Sequence, residues 1–80
     1  MALTKENIPT ETGKKLFDLL AEVAEQQKYF DPETFIFCIL SELKGDANKQ
    51  KMIDAIEKDN IRDISTLNLL CIDIADGLEV

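Results

Sequence analysis

The chain contains no histidine and no tryptophan. The first absence is the more restrictive, because imidazole is the side chain that most often moves protons near neutral pH and ligates transition metals. Histidine-based general base catalysis, Cys–His nucleophile pairs and histidine-ligated zinc sites are therefore excluded. Cysteine is nearly absent too. Cys38 and Cys71 lie far apart in sequence, each embedded among aliphatics in FIFCIL and LLCID. That setting predicts reduced thiols serving as small apolar side chains in a core or an interface, and it raises a thiol pKa, which leaves the sulfur inert as a nucleophile. The three glycines, Gly13, Gly45 and Gly77, are too scattered to build a phosphate-binding loop. With neither nucleophile nor phosphate loop, the chain is expected not to be an enzyme and to need no cofactor.

Positive charge is also scarce. Nine Lys plus Arg stand against sixteen Asp plus Glu, a net charge of −7 that repels a phosphate backbone and offers no general attraction to anionic lipid. Long apolar runs are missing: nothing approaches the ~18 residues of a membrane-spanning helix. The opening MALTKENIPTETG has no apolar region of the kind a signal peptide carries. These absences predict a cytoplasmic protein, with membrane and nucleic acid disfavoured as partners.

What remains is ordinary for a folded protein. An apolar fraction of 45% is enough to form a core. Eighty residues make one small domain, of a size that buries only roughly 60% of its unfolded surface, so association with a partner is a natural source of added stability. Residues 1–9 contain Pro9 and little periodicity and are expected to form an extended or mobile arm; residues 10–80 are expected to form a single helical domain.

Within that domain the apolar pattern predicts four helices. The first starts at Thr10 or Thr12 and ends near residues 28–30, with Leu16, Leu19, Leu20, Val23 and Ala24 on one face. The second lies in DPETFIFCIL, where six apolar residues follow one another from Phe35 to Leu40. Composition alone would suit a buried strand. The flanks decide for a helix: Asp31 suits an N-cap, Pro32 the first helical position and Glu33 the positive end of the dipole, with Lys44 and Gly45 as the stop. Phe35, Ile36, Ile39, Leu40 and Leu43 fill one broad arc of this helix, and Phe37 and Cys38 fall outside it. A third helix, begun by Asp46 as its cap, carries a thin apolar face of Met52, Ile53, Ala55 and Ile56 and ends at the Lys58–Asn60 break. The fourth, capped by Asp63 or Ser65 and stopped by Gly77, carries Ile64, Leu67, Leu70, Cys71, Ile72, Ile74, Ala75 and Leu78 on a wide arc, with Leu69 as the apolar outlier. The alternation of Leu70, Ile72 and Ile74 would also suit a strand, but no second strand signal exists to pair with it.

Three local patterns suggest more specific chemistry and fall short of it. Asp46, Asn48, Asp54 and Glu57 occupy positions one, three, nine and twelve of a calcium loop. Lys51 stands where the sharp turn requires Gly, and Gln50 where a carboxylate belongs, so a helix explains the stretch better. Asp73 and Asp76, with Glu79, could hold a hard cation, but nothing marks a pocket and a solvated polar face explains them better. The last two helices resemble a helix-turn-helix in spacing only, since residues 66–75 offer Asn68 and Asp73 where a recognition helix needs basic groups. Lys44, Lys49, Lys51 and Lys58 form the one basic neighbourhood, and acids interrupt it.

The expectation from sequence is therefore an all-α protein, a compact four-helix bundle or orthogonal helical array with an N-terminal arm. Its expected role is a small helical protein–protein interaction module, a homodimer that acts by binding another protein, with Phe37, Cys38 and Leu69 as interface residues. The alternative is a small transcription-related regulator that acts on DNA or occupies a DNA-binding surface with its acidic face.

Overall fold

A computed structural model describes residues 4–77. Its four helices are α1 (Glu11–Gln26), α2 (Pro32–Glu42), α3 (Asp46–Asp59) and α4 (Ile64–Ala75), and the described residues contain no strand. The fold is all-α. Leu78 and Glu79 lie outside the described residues.

The helix ends follow local chemistry. Thr10 caps α1, its hydroxyl accepting from the Gly13 amide at 3.1 Å, and Asp63 caps α4, its carboxylate accepting from the Thr66 amide at 3.1 Å. Asp31 occupies the cap position of α2 ahead of Pro32, but its carboxylate accepts from the Thr34 hydroxyl at 2.6 Å and not from a backbone amide. Asp46 is not the cap of α3: Gly45, at φ +86°, takes that position, and Asp46 is the first helical residue. The C-termini of α1 and α3 close by the same device, a left-handed residue followed by an amide reaching back five positions. Lys28 (φ 56°) precedes the Tyr29 N–H bonded to the Ala24 carbonyl; Asn60 (φ 51°) precedes the Ile61 N–H bonded to the Ile56 carbonyl.

Packing forms a closed circuit. α1 packs on α2 and on α3, and α4 completes the ring by packing on α2 and on α3. α1 and α3, the most extensively packed pair, form one wall of this ring, and α2 and α4 form the facing one. Between them lie the fully buried Leu16, Leu20, Val23, Leu43, Met52, Ile53, Ile56 and Leu67, and among the described residues no polar or charged residue is buried with them. The radius of gyration of 11.6 Å is about that of a fully compact chain of this length. No helix of the described residues is long and apolar enough to cross a membrane.

Residues 4–9 do not run free of this body. Lys5–Asn7 form a single 3-10 turn against α1, Lys5 Nζ pairs with Asp18 at 2.7 Å, and Ile8 is buried. Ile8 seats where α1 has no side chain: a Cβ on Gly13 would lie 2.6 Å from Ile8 Cγ2 and 3.0 Å from Thr10 Oγ1.

Candidate protein-binding surface

A helix surrounded by neighbours buries its whole circumference; one on the outside of a four-helix ring should show polar residues outward. α2 and α4 depart from the second pattern. Phe37 is 58% exposed, Leu69 65% and Ile72 51%, and Cys38 is exposed as well. All three side chains that the sequence sets outside the core arcs therefore face water.

They do not form a single patch. Residues 37 and 38 are about 100° apart on a helix, so they leave α2 on opposite flanks. Cys38 points toward α4 and lines an open groove of about 380 Å³ together with Ile39, Glu42, Asn68, Cys71 and Ile72. Phe37 lines a second, smaller groove of about 210 Å³ on the other side of α2, with Asn7, Ile8, Pro9, Leu40, Ser41 and Lys49. Leu69 stands three residues from Ile72, one helical turn away on the same outward face of α4.

Ile72 belongs to this surface although the sequence places it in the core arc. The spacing contains the correction: Ile72 is i+3 from Leu69 and i−4 from Asp76, so it shares their outward side and not that of Leu67, Cys71 and Ile74. Phe30 was also missed. It is 98% exposed in the loop between α1 and α2, where its ring stacks on Tyr29 at 6.2 Å between centroids, while Tyr29 reaches inward to Phe35 at 5.2 Å. Two adjacent aromatics, Tyr29 and Phe30, in a short loop between Lys28 and Asp31 were the available signal.

The two cysteines differ within the one groove. Cys71 is buried, and its thiol donates to the Ile39 carbonyl of α2 at 3.8 Å. Burial, followed by the nearby Glu42 carboxylate, pushes this thiol up to about 11, so it stays protonated at neutral pH. Cys38 faces solvent.

Charge is divided between the two walls. Neither α2 nor α4 contains a Lys or Arg, whereas α1 and α3 carry five lysines between them. The ion pairs of the described residues all involve the other wall or the segments beside it: Lys5–Asp18, Lys14–Glu11, Lys15–Glu57 and Arg62–Glu22. Among the described residues, Glu42 on the groove, and Asp73 and Asp76 beyond it on α4, have no cation within ion-pair distance.

The remaining constellations take no site geometry. Residues 46–57 run as one turn after another of α3, so Asp46, Asn48, Asp54 and Glu57 are spread along a helix and not wrapped around a cavity; Gln50 and Asp54 bond to each other at 2.9 Å. No group of three Cys, Asp or Glu among the described residues is placed to hold a metal ion. The chain matches no family model, no curated protein and no solved structure.

Proposed function

We propose that this chain is a small non-catalytic module that binds another protein through the outward surface of α2 and α4. The observation that carries the reading is the pair Leu69 and Ile72, each more than half exposed beside the α2/α4 groove. Covering half to two thirds of an aliphatic side chain contributes about 1–2 kcal/mol each, so this pair alone could add about 2–4 kcal/mol to an association. Two thiols, one of them held protonated inside the helix contact, fit a reducing cytoplasmic setting.

Homodimerisation is the second reading. In its favour is the exposed apolar area itself, which a second copy would remove from water in so small a domain. Direct DNA binding receives less support, because α4 would have to act as the recognition helix and carries no basic residue.

Affinity capture from the source cells with the wild-type chain and with a Leu69→Asp/Ile72→Asp variant as baits tests the main reading. A protein recovered with the first bait and lost with the second is the expected result. Identical recovery on both baits would refute the reading, and sedimentation velocity on the same two samples reports whether the partner is a second copy.

A further inference from the structure

We infer that the α2/α4 groove receives an amphipathic helix of a different protein whose apolar stripe is flanked by Lys or Arg. The inference rests on the binding-module reading above and adds to it the chemistry of the partner.

Three observations converge on this occupant. The first is shape: α2 and α4 lie side by side as one wall, and the open groove between them is lined by Cys38, Ile39, Cys71 and Ile72. A groove between two helices suits a third helix, whose side chains at i, i+3, i+4 and i+7 enter it in a row. The second is the charge of the rim. Along the outward face of α4 the order at that same spacing is Leu69, Ile72, Asp73, Asp76, and on the α2 side the groove ends in Glu42. An apolar strip bordered by carboxylates is complementary to an apolar stripe bordered by cations.

The third observation separates this partner from a second copy. Joining two α2/α4 walls face to face would bring Glu42, Asp73 and Asp76 of each copy toward those of the other, with no Lys or Arg on either helix to answer them. Like charges brought together across an interface oppose association. Five of the nine cations lie on α1 and α3 and the other four, Lys5, Lys28, Lys44 and Arg62, in the segments outside the four helices; Lys15 and Arg62 already pair with Glu57 and Glu22.

Two synthetic helical peptides test the inference, both with a leucine stripe at i, i+3, i+4 and i+7, one with Lys and the other with Glu on the flanks. Fluorescence anisotropy against the full chain should show the Lys-flanked peptide binding at least tenfold tighter at low salt, the gap narrowing as salt screens the rim. Ile72→Asp discriminates the groove from bulk attraction. It makes the chain more acidic yet should weaken the Lys-flanked peptide by about tenfold, the factor that 1.4 kcal/mol of lost contact produces. Leu69→Ser should act in the same direction without adding charge, and the double change Glu42→Lys/Asp73→Lys should reverse the preference toward the Glu-flanked peptide. Equal binding of the two peptides, with both lost on Ile72→Asp, would overturn the basic partner and leave the binding surface standing. Binding of the Lys-flanked peptide that Ile72→Asp strengthens would overturn both. A dimer dispersed by Ile72→Asp, with neither peptide bound, would assign the groove to a second copy.

Discussion

Gly13→Ala should destabilise the protein, although helix propensity alone says the opposite. Replacing Gly by Ala inside a helix ordinarily gains about 0.5–1 kcal/mol. At this position the new Cβ would meet Ile8 Cγ2 at 2.6 Å and Thr10 Oγ1 at 3.0 Å. Ile8 is buried and Thr10 Oγ1 is the capping oxygen, so the methyl must displace a core side chain, the cap or both. Overpacking costs about 1–3 kcal/mol and a lost cap about 1 kcal/mol, so the net loss is about 1–2 kcal/mol. A loss of that size lowers the melting temperature of so small a domain by roughly 4–16 °C. Urea unfolding followed by circular dichroism measures it, with an unchanged slope and a lower midpoint expected. Ile8→Ala in both backgrounds completes a double-mutant cycle: its cost should be smaller when Ala already occupies position 13. A Gly13→Ala protein more stable than wild type, with Ile8→Ala costing the same in both backgrounds, would show that residues 4–9 do not dock on α1.

Other perturbations follow from single features. Lys28→Gly should stabilise by about 1 kcal/mol, since Lys28 holds a left-handed φ of 56° that costs a side-chain-bearing residue about that much; a destabilised variant in urea would refute the left-handed turn. Asp63→Ala should lose about 1 kcal/mol through the cap of α4, and Asp63→Asn should retain most of it. Iodoacetamide should alkylate Cys38 rapidly in the native protein and Cys71 only on opening, and equal rates by mass spectrometry would contradict their placement. Because folding raises the Cys71 pKa to about 11, the folded state binds more protons than the unfolded state above the ordinary thiol pKa. Stability should therefore be lost as pH rises toward 11, and Cys71→Ser should flatten that loss in alkaline urea titrations.

The helices were legible because their ends are written in residues with a conformational meaning. Asp31–Pro32, Asn60, Asp63 and Gly77 mark starts and stops that the apolar period alone leaves loose. What pattern reasoning missed depends on tertiary neighbours. Ile8 is an isolated apolar residue with no period around it, and its burial requires the gap above Gly13, a tertiary contact that no periodicity encodes. Asp46 has the chemistry of a cap, but Gly45 with its positive φ is already at the turn. The candidate surface was half legible: Phe37, Cys38 and Leu69 are all outward and the spacing from Leu69 already carries Ile72, yet only the packing of α4 against α2 brings Cys38 and Ile72 to one groove and sends Phe37 to another.

The decisive comparison is the unfolding free energy of a Leu69→Gln/Ile72→Gln variant beside that of Leu43→Ala, all measured in urea. If the outward side chains of α4 exist for a partner, the double variant should stay within about 1 kcal/mol of wild type, while Leu43→Ala at the buried end of α2 loses about 2–5 kcal/mol. A double variant that loses as much as Leu43→Ala would mean that Leu69 and Ile72 hold this fold together, and the surface assigned to binding would be part of its core.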